Sequence, residues 1–172
     1  MKKEKTIITD DYLINNTKIK SGDLIAWTHK GWSTLYDIEM QIIRLATRSE
    51  YIHVGTAWIA QERVFVIEAV MPCVRIFPLS HLVPFYLVPL EAPWEKKTEN
   101  FAFAQIGKEY SIKNAIQSVI EKPNVNGNWQ CAQLAHEIMK RDGIDLGEVY
   151  TPSGVVYGAL SLSQDKSLKL VR

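Results

Sequence analysis

The chain has 172 residues, a length typical of a single domain. Apolar residues make up 47% of it and charged residues 23%, a composition close to that of an average globular protein, which excludes wholesale disorder. Twenty basic side chains balance 19 acidic ones, for a net charge of +1. This balance argues against a nucleic-acid binder or a binder of anionic membranes, because both need a basic excess.

The amino-terminal segment is polar and has no clear period. We expect residues 1–20 to form an N-terminal arm and residues 21–172 to form one domain. The first residues are basic but lead into polar and acidic positions instead of an apolar stretch, so they do not resemble a secretory signal peptide. No run approaches the about 18 apolar residues that cross a bilayer. As written, the chain is expected in the cytoplasm, with action at the cell envelope left open.

The hydrophobic pattern predicts a helix, then a group of strands, then more helices. A turn at Ser21-Gly22-Asp23 precedes the first strand, and a loop over 28–33 follows it. Strands are predicted at 24–27, 52–60, 64–70, 74–78, 85–90 and 166–171. Helices are predicted at 34–48, 97–106, 112–121, 129–141 and 153–160. This order predicts an α+β fold.

Cys131 lies in the first turn of the predicted helix 129–141. The positive end of a helix dipole stabilises a nucleophilic thiolate, and the unpaired N–H groups there can hold an oxyanion. The alternative is an inert buried thiol, which is the common state of an unpaired cysteine. The second cysteine, Cys73, lies in the proline-rich strand region, and we expect no disulfide between the two.

His53 and Glu68 are polar residues inside two apolar strands. If Ile59 pairs with Val64 across a tight connection, the two lie on one face of the hairpin as diagonal neighbours. Gly55, opposite Glu68, leaves space for the carboxylate to lean toward the imidazole. An unpaired carboxylate in an apolar strand is costly, so the sequence predicts a His53–Glu68 pair. Together with Cys131 it would supply a nucleophile, a base and a group that orients the base.

Further candidates surround these three residues. Gln130 precedes the nucleophile and is predicted to polarise a substrate carbonyl. Three side chains after the first strand are predicted to form a substrate-contacting loop, with a surface aromatic patch as the alternative: Trp27, His29 and Trp32.

A metal site is a weaker hypothesis. A zinc ion could be held by four residues that lack any ligand spacing: His29, His53, Glu68 and His136. His136 is also a poor base for Cys131, because five residues along a helix point it about 140° away.

Four segments carry a resemblance to a known family. They are Gly22-Asp23-Leu24-Ile25, Tyr51-Ile52-His53-Val54-Gly55, Val66-Ile67-Glu68-Ala69 and Gln130-Cys131-Ala132-Gln133-Leu134. Their order resembles that of the permuted papain-like cysteine hydrolases, the YiiX-like relatives of NlpC-type cell-wall peptidases, with lecithin retinol acyltransferase as a distant cousin. The resemblance covers about residues 21–160. Ala132 departs from the serine that often follows the cysteine, but it is also small.

The resemblance implies a fold and a site. The fold would be circularly permuted papain-like, with an antiparallel sheet packed against helices and the nucleophile at a helix N-terminus. Cys131 would be the nucleophile, His53 the base and Glu68 the third member of a catalytic triad. Tyr110 resembles a tyrosine near the site in relatives and would bind substrate, with a packed tyrosine as the alternative.

The resemblance also implies an activity. The protein would be a cysteine peptidase or amidase that forms an acyl-enzyme without a cofactor and acts on cell-wall-type peptides. The alternatives are a lipid-directed thiol acyltransferase or esterase, and a catalytically silent ligand-binding module on the same fold. The sequence gives no oligomeric state.

Overall fold

The fold is given by a computed structural model that describes residues 7–12, 18–28, 50–111, 113, 127–164 and 166–172. The strands in these ranges are β1 Ile7–Asp10, β2 Leu24–Trp27, β3 His53–Ala60, β4 Arg63–Val70, β5 Cys73–Pro78, β6 Phe85–Val88 and β7 Leu168–Val171. The helices are α1 Lys96–Phe103, α2 Cys131–Arg141 and α3 Pro152–Leu162, with a short 3-10 turn at Leu79–His81. The predicted α+β class is confirmed.

The seven described strands form one sheet in the order β1-β7-β6-β2-β3-β4-β5. Strands β1 and β7 are parallel, and every other neighbouring pair is antiparallel. Residues 7–10 lie in the segment that the sequence analysis expects as an N-terminal arm. These residues are the edge strand β1, which pairs with the carboxyl-terminal strand β7.

Strand alternation divides the core between the two faces of the sheet. Leu24 and Ala26 of β2 pack in a cluster with residues of α2 and α3. The intervening Ile25 and Trp27 pack in a second cluster that includes residues of β4 and β6. Strand β2 is therefore buried on both faces at the centre of the sheet.

The described elements agree with the predicted ones to within a few residues. Strand β2 has the predicted bounds, and β3 to β6 and β7 each overlap their predicted segments. Helices α1, α2 and α3 also overlap the segments predicted as helices. The predicted helices 34–48 and 112–121 lie outside the described residues, apart from 113.

The Ser21-Gly22-Asp23 turn positions β2. Asp23 is buried, and its carboxylate accepts hydrogen bonds from the backbone N–H groups of Lys20 at 2.8 Å and Leu90 at 3.0 Å. Burial raises the pKa of Asp23, against the lowering effect of those two hydrogen bonds. The side chain thus joins the start of β2 to the segment that follows β6.

None of the helices in the described ranges has the length and apolar character that a membrane crossing requires.

Candidate active site

The β3–β4 hairpin has the register that the sequence predicts. Ile59 pairs with Val64, and the ladder continues to Thr56 and Ile67. The two turn residues, Gln61 and Glu62, have φ values of 47° and 63°, as a tight hairpin turn of the primed type requires. Gly55 and Glu68 are the residues next to this last pair, Gly55 before Thr56 and Glu68 after Ile67.

Gly55 is needed at its position because of close packing. A Cβ atom there would lie 2.5 Å from Cγ2 of Val66 and 3.2 Å from Cβ of Glu68. At 2.5 Å the two atoms overlap, so a side chain at this position would require Val66 to shift. The small residue therefore lets Glu68 reach His53 along the sheet.

Glu68 holds the centre of the site. Its side chain is fully buried, and Oε2 lies 2.7 Å from Nε2 of His53. Its other oxygen, Oε1, accepts hydrogen bonds from Nε of Arg75 at 2.8 Å and contacts Nη2 at 2.7 Å. Arg75 is directly opposite Glu68 in the β4–β5 pairing. The predicted His53–Glu68 contact is confirmed, and the carboxylate has a second, cationic partner.

Cys131 is the first residue of α2, as predicted for the nucleophile position. Gln130 caps the helix: its Oε1 accepts from the N–H of Ala132 at 2.9 Å, and its Nε2 donates to the carbonyl of Tyr150 at 2.7 Å. The Cys131 thiol lies 3.7 Å from the same Oε1. Gln130 is 1% exposed. These contacts give Gln130 a capping role, and its contact with a substrate carbonyl stays a prediction.

His53 joins Cys131 to Glu68. Its imidazole makes hydrogen bonds with the side chains of both residues. Of the two ring nitrogens, Nε2 is the one that faces Glu68. His53 and Cys131 are each 4% exposed, so the thiol, the imidazole and the carboxylate form one buried chain of contacts.

The electrostatics of this chain favour a protonated imidazole beside an ionised carboxylate. Burial acts to lower the pKa of His53, but the hydrogen bonds and charges of Cys131 and Glu68 outweigh it and raise the pKa to about 10. Burial acts to raise the pKa of Glu68, but His53 and Arg75 outweigh it and hold that pKa below its usual range.

Trp27 supports the imidazole from the neighbouring strand. It pairs with His53 in the β2–β3 ladder, and their ring centroids are 5.3 Å apart. Its indole N–H donates to the carbonyl of Leu82 at 2.8 Å, and the residue is 0% exposed. Trp27 is thus the last residue of β2 with its side chain in the core, and its contact with substrate stays a prediction.

The other predicted substrate residues are placed only in part. Tyr110 is half-buried and packs against the cluster that contains Trp129. The backbones of Tyr110 and Trp129 form a β-bridge, and Trp129 lies two residues before Cys131. The contact of Tyr110 with substrate stays a prediction. His29 and Trp32 lie outside the described residues.

His136 is turned away from the chain of contacts, as predicted. Its Nε2 accepts from the backbone N–H of Leu146 at 3.1 Å and lies 3.4 Å from Oδ1 of Asp145. Over the described residues, no three His, Cys, Asp or Glu side chains are grouped to hold a metal ion. The two oxygens of Glu68 contact the imidazole of His53 and the guanidinium of Arg75. The arginine therefore lies where a metal ion bound to Glu68 would have to lie. The residues present there do not fit a metal centre.

Neither cysteine is in a disulfide, as predicted. Cys131 is buried at the start of α2, and Cys73 is half-buried at the start of β5.

No family model and no curated protein matches the chain. A solved structure with a similar fold is that of the metalloprotein yiiX from Escherichia coli O157:H7. The two superpose with a TM-score of 0.55 and 19% sequence identity, over 75% of this chain and 69% of that one. The chain has a yiiX-like fold. At 19% identity the likeness concerns the fold alone. It supports the resemblance to the YiiX-like proteins as a resemblance of fold.

Arg75 is a site residue that the sequence pattern did not reveal. It stands between Val74 and Ile76, a single charge in an apolar strand. One signal points to it: Glu68 is a single acidic residue in the preceding strand, and opposite charges are favoured in directly paired positions. The sequence alone leaves the register of β4 with β5 open, so it does not place the two charges opposite each other.

Proposed function

We propose that the protein is a cysteine hydrolase of the permuted papain-like kind, which cleaves an amide or ester bond through an acyl-enzyme at Cys131. The observation that carries this proposal is the contact chain from Cys131 through His53 to Glu68. It joins a thiol in the first turn of a helix to an imidazole that faces a buried carboxylate. Those are the parts of an activated thiol nucleophile.

The reaction would begin at the Cys131 sulfur, with the proton already on the imidazole of His53. The sulfur attacks the carbonyl carbon, an S–C bond forms, and the oxyanion is held by the N–H of Cys131 in the first turn of α2. The N–H of Ala132 is already engaged by Gln130, so Cys131 itself is the donor that we assign. Collapse breaks the C–N or C–O bond, and the leaving group takes the proton from His53.

Water then completes the cycle. It attacks the thioester carbonyl while His53 accepts one of its protons, the C–S bond breaks, and the thiol is restored with the released acid. Glu68 stabilises the imidazolium in both halves of the reaction, and Trp27 packs against the ring.

The first substrate class that we propose is a peptide amide of the cell-wall type, which rests on the family resemblance. An acyl ester or thioester is the second. The observation that favours it is the apolar setting of the thiol: Cys131 packs in a cluster with Tyr51, Val54 and Leu90, and Tyr86 lies against that cluster.

Turnover on a panel of short peptide amides and acyl esters tests the proposal. Wild-type protein should release product from at least one class, and Cys131→Ala should abolish that release, a loss of about three orders of magnitude or more when the nucleophile is removed. Cys73→Ala is the matched control and should retain activity. Turnover that survives Cys131→Ala would overturn the proposed nucleophile.

A further inference from the structure

A fourth residue belongs to the chain of contacts that ends at Glu68. Two nitrogens of Arg75 reach the same carboxylate oxygen, Oε1, at 2.8 and 2.7 Å, while Oε2 faces His53. The Arg75 guanidinium also lies 4.5 Å from the ring centroid of Phe77, its neighbour on the same face of β5. The arginine is thus fixed both by the carboxylate and by an aromatic ring.

We infer that Arg75 is a positioning residue of the site, which holds Glu68 ionised and oriented so that the carboxylate serves His53 in every protonation state of the imidazole. This inference rests on the proposed function, since it assigns Arg75 a part in the activation of Cys131.

Charge balance is the reason that the site needs this cation. The Glu68 side chain is fully buried, and an unpaired buried carboxylate takes up a proton. His53 is a cation only until it gives its proton to the leaving group. When that proton leaves, a carboxylate with His53 as its sole partner would stand unpaired. Arg75 does not titrate in proteins, so it keeps Glu68 charged throughout the reaction.

The groups that act on this carboxylate come from two elements. His53 faces it from β3 and Arg75 faces it from β5, and both lower the pKa of Glu68. The titratable side chain that α2 brings to the site is Cys131, which acts on His53. With Glu68 and Arg75 as a neutral pair, proton exchange between Cys131 and His53 leaves the net charge of the buried site unchanged.

A structural role alone would have a different consequence. A cross-strand ion pair between β4 and β5 contributes to stability, and its loss lowers the melting temperature without changing the pH at which Cys131 reacts. A positioning role changes that pH. Without Arg75, the pKa of Glu68 rises, so Glu68 is protonated at a higher pH and there no longer orients and stabilises the imidazolium beside Cys131.

The experiment measures the rate at which iodoacetamide alkylates Cys131 as a function of pH, by peptide mass spectrometry. In Arg75→Gln the acidic midpoint should rise by about one pH unit or more, within the range that a neighbouring opposite charge contributes to a carboxyl pKa. Arg75→Lys keeps the charge and loses the two-nitrogen contact, so its acidic midpoint should lie between those of the wild type and Arg75→Gln. Arg63→Gln, an exposed arginine at the start of β4, is the matched control and should retain the wild-type profile.

The outcomes separate the two proposals. If wild-type Cys131 is no more reactive than Cys73, the proposed function fails. If wild-type Cys131 is reactive and Arg75→Gln keeps its acidic midpoint, the inference on Arg75 is overturned while the proposed function stands. Should Arg75→Gln fail to fold by near-ultraviolet circular dichroism, Arg75→Lys decides: a raised midpoint supports the inference, and an unchanged one overturns it.

Discussion

Iodoacetamide near neutral pH is expected to alkylate Cys131 faster than Cys73, although Cys131 is the more buried of the two thiols. Cys131 is 4% exposed, whereas Cys73 is half-buried. Accessibility alone therefore predicts the opposite order. The imidazolium of His53 and the first turn of α2 both favour a thiolate at Cys131, and the thiolate is the reactive form.

Replacement of His53 should remove most of this reactivity. An ordinary thiol is only a few per cent ionised at neutral pH, so His53→Ala should slow the labelling of Cys131 by roughly tenfold or more. Glu68→Gln should slow it less, because an amide can still orient the ring. His81→Ala, at an exposed histidine outside the site, is the control and should have no effect. Equal labelling of both thiols, unchanged in His53→Ala, would instead favour the silent binding module.

Glu68→Ala is expected to cause the largest loss of stability among the site variants. It removes the carboxylate between His53 and Arg75 and leaves a buried imidazole and a guanidinium without their anion. Loss of one partner from a buried ion pair costs about 3–5 kcal/mol in the free energy of unfolding. Glu68→Gln should cost less, since it retains the shape and one hydrogen bond. The exposed Glu109 offers a matched control in Glu109→Ala.

The pH dependence of stability identifies the cause of that loss. The pKa of His53 is raised from 6.5 to about 10, so its contribution is fully present below pH 6.5 and is lost as the pH rises toward 10. The pKa of Glu68 is lowered from 4.5, so its contribution is present above pH 4.5 and is lost on further acidification. Urea unfolding at a series of pH values should show a decline from 6.5 to 10 in the wild type and a flatter profile in Glu68→Gln. The same slope in both proteins would contradict the pairing.

The local part of the site could be predicted from the sequence because short-range rules determine it. A two-residue connection between Ile59 and Val64 fixes the hairpin register, and the register brings Glu68 to His53. The polar segment before Cys131 likewise indicates where α2 begins. In both cases the relevant neighbours lie within about 15 residues along the chain.

The remaining features depend on contacts between distant segments or on unusual residue choices. Strand β1 pairs with β7 from the opposite end of the chain, and no local pattern gives that partner. Glutamine is not among the preferred N-cap residues, so the sequence offered no reason to assign Gln130 to the cap. The fixed position of Trp27 depends on Leu82, which is 55 residues away along the chain.

The most direct test of the central claim is capture of the acyl group. Wild-type protein would be mixed briefly with an activated ester, quenched in acid and digested, and the peptides analysed by mass spectrometry. We expect an acyl group on the peptide that contains Cys131, absent in Cys131→Ala and strongly reduced in His53→Ala. An acyl group found only on Cys73 or on lysines, or equal acylation of Cys131 with and without His53, would contradict it.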